Sequence, residues 1–311
     1  MAGDVMKKSR MRPKKVPYLK RKEPPHNFLG LSPQYTGYKR SKVVVQLLPY
    51  EGTVSYTTGT SKGPEAIINA SRFLEDFDIR SKKTYRSLGI HTLPLLKPSK
   101  KYSAPEPYLK RVFQQSKKLV QDKKFIISLG GEHSLSAAII PAIQLQHPEI
   151  TVLHIDAHAD LRNQFEGSRY SHACGLRRVQ GNLKTVLLGV RTLSQDQWTY
   201  IQNKKIKHFF THDLYEVPPK QWIKEVVKAC GKFVYISLDT DAFDPSEMPS
   251  TGTPEPGGLH YVDLVELFRQ LSLKKTIVGF DLMELAPRED FVAPDVLCAR
   301  LVHQMVGFVF G

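Results

Sequence analysis

"TVLHIDAHADLR", residues 151–162, begins as a short apolar, partly β-branched run and ends in Asp156, His158 and Asp160. The run has the length and composition of a buried strand. Three ligand-type side chains within five residues of its carboxyl end are costly to desolvate unless they are paired or bind a metal. A cation is therefore expected there. The same arrangement recurs: "GGEHS" (130–134) follows the run 124–130, "DTDAFD" (239–244) follows 233–239, and "DLMELAP" (281–287) follows 275–281. With 42–48, 86–93, 184–190 and 205–210 these runs make eight candidate strands. Helical patterns over 64–76, 105–122, 134–146, 195–204, 219–230, 261–271 and 294–307 lie between them. Alternating strands and helices predict an α/β domain whose mainly parallel sheet is covered on both faces. Eight strands also suffice for a closed barrel. In either architecture ligands bind at the carboxyl ends of the strands, so four segments converge on one rim.

His133, Asp156, His158, Asp160, Asp239 and Asp241 supply two imidazoles and four carboxylates, without a cysteine. Nitrogen and oxygen donors of this kind favour Mn²⁺, with Ni²⁺, Co²⁺ or Zn²⁺ as alternatives. Four carboxylates around one divalent ion leave excess negative charge, whereas two ions bring the group near neutrality, with some Asp bridging. Two metals and metal-assisted hydrolysis are the expected chemistry. Taken singly, an Asp after a strand reads as a cap or turn residue and a lone His as a hydrogen-bonded structural residue. Their convergence on one rim is what makes the functional reading the stronger one. Asp244, before Pro245, reads as a residue that orders its loop or orients a ligand.

The chain has 311 residues, 41% of them apolar, enough for a sizeable core. Residues 41–311 contain no internal repeat and read as one catalytic domain, preceded by a basic, flexible tail over 1–40. Much of the net charge of +15 is local: residues 1–22 hold nine Lys or Arg against one Asp, which is +8 and leaves +7 elsewhere. Such a tail can contact nucleic acid or an anionic surface, but a solubilising arm is the simpler reading, since no nucleic-acid-reading motif accompanies it. Cys174, Cys230 and Cys298 are isolated and odd in number, which argues against a disulfide framework. No run is long enough to span a bilayer, and no apolar segment follows the basic N-terminus as in a secretory signal. The expected location is the cytoplasm.

The motifs "GGEHS", "DAHADLR", "SHA" (171–173), "SLDTDAFDP" (237–245), "GTPEPGGL" (252–259) and "DLMELAP" resemble the ureohydrolase family of arginases and agmatinases over about residues 43–311. The resemblance implies a three-layer α/β/α fold around an eight-stranded, mainly parallel sheet, and two Mn²⁺ ions. By matching positions, one ion would be held by His133, Asp156, Asp160 and Asp239, the other by Asp156, His158, Asp239 and Asp241. Glu284 would bind the substrate guanidinium and His172 would shuttle a proton. Without the resemblance, Glu284 reads as a surface charge at a helix start and His172 as a helix-start cap. Assembly as homo-trimers or hexamers is implied as well.

The segment "LRNQFEGSRYSHACGLRR" (161–178) lacks the polar loop by which arginases hold the amino-acid end of arginine, and "PYEGTVSYTTGTSKGPEAI" (49–67) looks like agmatinase. Cleavage of agmatine to putrescine and urea, a step of polyamine biosynthesis, is the leading expectation. Aminopropylagmatine, guanidinobutyrate and arginine are alternative substrates. A metal-dependent deacetylase and a silent regulatory or RNA-binding relative are weaker alternatives, disfavoured by the complete ligand set. Two departures stand out: Glu132, where many family members have Asp, and Arg162, expected to pair with a neighbouring acid.

Overall fold

The computed structural model describes residues 23–99, 104–181 and 183–311. Its centre is an eight-stranded sheet made of β1 (Val43–Leu48), β4 (Ile90–Thr92), β5 (Phe125–Gly130), β6 (Thr151–Ile155), β7 (Lys184–Leu188), β8 (Lys207–Phe209), β9 (Phe233–Asp239) and β10 (Thr276–Met283). The spatial order is β4-β1-β5-β10-β9-β6-β7-β8, with every neighbouring pair parallel. The order is linear, with β4 and β8 as free edges, so the barrel alternative is excluded. A separate antiparallel pair, β2 (Phe77–Asp78) and β3 (Lys83–Thr84), lies outside this sheet.

Alternation along each strand builds the layers. In β1, Val43, Val45 and Leu47 enter one apolar cluster, while Val44 and Leu48 enter another on the opposite face. The first cluster is closed by α1 (Gly63–Ser71), α7 (Pro219–Ala229), α8 (Tyr261–Lys274) and α9 (Ala293–Phe310). The second is closed by α2 (Pro105–Gln121), α3 (Ser136–Gln144), α4 (Gly175–Gln180) and α5 (Gln195–Lys204). The short α6 (Thr211–Tyr215) follows β8. Both faces are thus buried, which is why the strands read as continuous apolar runs. Helix α2 shows the complementary period: its buried residues Tyr108, Leu109, Val112, Ser116, Leu119 and Val120 form one stripe. Proline opens α2 and α7, where its missing N–H costs nothing. Ser194 and Gln197 form a capping box at the start of α5.

Two strand expectations change. The run 86–93 is a strand only over Ile90–Thr92, because Gly89 takes φ +71 and breaks the extended path after a 3-10 turn at Arg86–Leu88. The run 205–210 pairs only over Lys207–Phe209, since Lys205 caps α5 in the left-handed conformation. Part of the expected 1–40 tail falls within the described residues. Residues 23–40 pack on the domain: Phe28 and Leu29 are buried, their N–H groups donating to Thr92 Oγ1 and Ser71 Oγ at 2.9 and 3.0 Å. Its most basic part, 1–22, lies outside the described residues.

Candidate active site

Strand register brings the four motifs together. Asp239 ends β9, directly opposite Met283 of β10, and Asp156 follows β6, which pairs with β9 through Ile155 and Leu238. The glycines of "GGEHS" permit the third approach. A Cβ on Gly130 would lie 2.0 Å from Met283 Sδ, and one on Gly131 would lie 1.9 Å from the Tyr50 carbonyl oxygen. His133 then starts a 3-10 turn that brings its ring against Asp156 and Asp239.

All six expected ligands meet there. His133 Nδ1 lies 2.9 Å from Asp156 Oδ2, 3.0 Å from Asp239 Oδ2 and 3.6 Å from Asp160 Oδ2. His158 Nδ1 lies 2.9 Å from Asp241 Oδ2 and 3.5 Å from Asp156 Oδ1. Asp156 thus touches both groups. Backbone donors fix the carboxylates: His158 N–H donates to Asp156 Oδ1, Asp241 N–H to Asp239 Oδ1, and Ala157 N–H to Asp241 Oδ1, at 2.5, 2.8 and 3.0 Å. Asp160 holds φ +50, a left-handed conformation more often taken by glycine or asparagine.

Two of the clustered carboxylates are crowded by their neighbours. Burial, together with repulsion from Asp156, pushes the Asp160 carboxyl well above the ordinary range; burial and repulsion from Asp241 and Asp156 do the same to Asp239. Asp156 Oδ2 and His154 Nε2, 3.1 Å apart, are buried and have no hydrogen-bond partner of good geometry among the described residues. Lone-pair atoms that converge without donors between them are what a divalent cation satisfies. The donor set fits hard to borderline metal ions.

The cluster floors a cavity of about 270 Å³, into which His172 and Glu284 also face. Glu284 is not the surface charge that its position alone suggests: it is buried at the end of β10, with φ +66, and its Oε1 accepts the His133 N–H at 2.7 Å. Burial and the nearby Glu132 push its carboxyl well above the ordinary range. His172 opens a 3-10 turn that also lines the cavity, and burial lowers its imidazole below the usual value. Arg162 lines the cavity too, but it makes no ion pair among the described residues; its guanidinium sits 5.1 Å above the Phe165 ring. Asp244 orders its loop as expected, its Oδ1 accepting Ser246 N–H at 2.8 Å.

Sequence reasoning missed the layer beneath. Gln46, Ser128, Asp281, Ser237 and His154 lie directly opposite one another on successive strands β1, β5, β10, β9 and β6, all buried. His133 Nε2 is 2.9 Å from Ser237 Oγ, which donates to Asp281 Oδ1 at 2.8 Å. Ser136 and Tyr235 hydroxyls donate to the other Asp281 oxygen. This chain fixes the His133 ring, so its Nδ1 faces Asp156 and Asp239. His154 was legible as a spacing: two residues before Asp156, it falls on the same strand face. Arg191 was also missed. Its guanidinium donates to the carbonyls of Asp241, Phe243 and Glu255 at 2.7, 3.3 and 3.0 Å, tying the Asp241 turn to the loop before α8.

Comparison with known proteins agrees with this geometry. A family model described as the arginase family matches residues 41–307. The chain is 37% identical over 290 residues to N(1)-aminopropylagmatine ureohydrolase of Synechocystis sp., covering 91% of this chain and 94% of that protein. It is 32% identical over 267 residues to agmatinase of Halalkalibacterium halodurans, covering 82% and 87%. The solved agmatine ureohydrolase of Thermoplasma volcanium superposes with a TM-score of 0.81 at 30% identity, covering 88% and 92%. The parallel sheet, the His/Asp cluster at its rim and these relatives together make the chain a ureohydrolase of the arginase family.

Proposed function

We propose that the chain hydrolyses the guanidino group of an agmatine-type cation and releases urea, with two Mn²⁺ ions per chain. The observation that carries this reading is the acid-walled cavity, where Asp160, Asp239, Asp241 and the buried Glu284 share one small space with His172. His133, Asp156, Asp160 and Asp239 would hold one ion, and Asp156, His158, Asp239 and Asp241 the other, with Asp156 and Asp239 common to both. When bound, such a pair supplies Lewis acidity and makes water a competent nucleophile at neutral pH.

The protein's own groups do the rest. Glu284 Oε1 is occupied by the His133 N–H, which leaves Oε2 to orient a planar guanidinium by a charge-assisted hydrogen bond. The leaving amine needs a proton, and His172, which lines the same cavity as the carboxylates, delivers it. A carboxylate at the far end of the substrate meets the same acids that attract a cation, so arginine and guanidinobutyrate are disfavoured. Within the agmatine class, the relatives support both agmatine and its aminopropyl derivative. Among the described residues no helix is long and apolar enough to cross a membrane. A cytoplasmic trimer or hexamer fits the exposed apolar side chains Phe77, Ile79, Phe291 and Val292.

Steady-state assays with agmatine, N1-aminopropylagmatine, arginine and 4-guanidinobutyrate test the reading. At least one agmatine-type substrate should exceed the two carboxylate-bearing ones by about tenfold or more in kcat/KM, a difference of about 1.4 kcal/mol in transition-state stabilisation. Equal turnover of arginine would remove the substrate assignment.

A further inference from the structure

Glu132 sits at the centre of a contact network that the proposed mechanism does not use. It is fully buried, yet it is not a metal ligand: its Oε2 accepts the backbone N–H groups of Gly52 and Thr53 at 2.7 and 2.6 Å, and its Oε1 accepts the hydroxyls of Thr53 and Ser134 at 2.8 and 2.5 Å. Four donors on one carboxylate is a full complement for the space available. Thr53 passes the constraint on. Its Oγ1 accepts the His172 backbone N–H at 3.0 Å and lies 3.5 Å from His172 Nδ1.

The chemistry of a hydroxyl fixes the direction of these bonds. Thr53 has one proton, and Glu132 takes it, so toward the His172 ring Thr53 Oγ1 acts only as an acceptor. That favours the tautomer with the proton on Nδ1. Nε2 is then left to the cavity side, where Ser55 Oγ lies 3.2 Å away and itself lines the cavity. The other neighbours of the ring are Ser171, whose Oγ is 3.4 Å from Nδ1, and the Phe165 edge. Among the described residues, His158, Glu166 and Asp156 are charged groups that act on it.

We infer that Thr53, clamped by Glu132, is a positioning residue that sets the backbone, ring orientation and tautomer of His172 so that Nε2 exchanges protons with the reacting groups. Glu132 bonds both the backbone at residues 52–53 and the Ser134 hydroxyl. The inference rests on the reading of His172 as the proton donor, and its test separates the two.

Thr53→Val keeps the shape and removes the hydroxyl; Thr53→Ser keeps it. In the metal-loaded enzyme, Thr53→Val should lower kcat about tenfold or more, as loss of well-placed general acid catalysis does, with KM and metal content little changed. The pH dependence of kcat should shift, and Thr53→Ser should restore most of the loss. In a His172→Asn background, Thr53→Val should cost almost nothing further, because coupled residues are non-additive. A separate readout is the His172 imidazole titration followed by NMR, which Thr53→Val should shift and Thr53→Ser should not. An unchanged titration in Thr53→Val, or the same loss of kcat in the presence and absence of the His172 ring, would overturn the positioning role. Full turnover by His172→Asn alone would instead remove His172 from the mechanism, while the NMR titration still decides whether Thr53 holds the ring.

Discussion

Asp239 touches three parts of the site at once. Its Oδ1 takes the Asp241 N–H, its Oδ2 lies against His133, and repulsion from Asp241 and Asp156 adds to its burial in raising its carboxyl. A cation relieves such crowding, and under the proposed ligand assignment Asp239 is shared by both ions and should matter to both. Asp239→Ala is expected to lose at least one ion per chain and to lower turnover by orders of magnitude, measured by elemental analysis of the gel-filtered variant alongside a urea assay. Full metal content in the variant would remove Asp239 from the ligand set. The candidate ligands were legible in the sequence because each lies within a few residues of the end of an apolar run, so local pattern alone put His133, Asp156, His158, Asp160, Asp239 and Asp241 on one rim. The row Gln46, Ser128, Asp281, Ser237 and His154 was not. It exists only through the pairing register of five strands that are distant in sequence, and a one-residue slip would turn it to the other face.

The elements fix the site by close approach. Gly131 lets the loop after β5 run against Tyr50, and a Cβ there would meet a backbone oxygen, which cannot swing away as a side chain can. Gly131→Ala should therefore destabilise the protein by about 1–3 kcal/mol, as overpacking of tight cores does, and should depress activity in the fraction that folds. The denaturation midpoint reports it, and an unchanged midpoint would show that the loop has slack. Helix α8 offers an electrostatic test away from the site. Arg269 grips Glu266 with two bonds of 2.8 and 2.7 Å, and Gln270 adds a third of 2.9 Å. The Arg269 bond leads in holding the Glu266 carboxyl down to about 2 from an ordinary 4.5. A depressed carboxylate contributes stability above its unfolded value and loses it as pH falls toward the folded one. Glu266→Gln should therefore cost stability at pH 7, by about 0.5 kcal/mol because the pair is partly exposed and screened. The difference from wild type should shrink between pH 4.5 and 2; a difference constant with pH would contradict the assigned cause. Gly89 gives the reason that strand edges were harder to read than strand centres: one left-handed residue shortened β4, and nothing in the apolar pattern of 86–93 signalled it.

At the scale of the whole molecule, charge and chemistry are separated along the chain. Residues 1–22 carry +8, whereas the cavity is walled by carboxylates more than a hundred residues later. Removing 1–22 should leave guanidino hydrolysis nearly intact and weaken any salt-sensitive binding to nucleic acid, compared by urea release and by binding at two ionic strengths. A soluble truncation without activity would place the tail in the active assembly. The alternation of strands and helices was enough to predict the layered sheet, because burial on both faces imposes a continuous apolar run on every central strand. It was not enough to choose between sheet and barrel, since that depends on whether β4 and β8 meet. The central claim is that one rim of this sheet holds two ions which together with His172 and Glu284 hydrolyse a guanidinium. Its most direct test is a titration of metal-depleted protein with Mn²⁺, following bound metal and urea release from agmatine and N1-aminopropylagmatine in the same samples. Activity should rise with binding and saturate at two ions per chain; full activity at one ion, or urea release that does not depend on metal, would contradict the account.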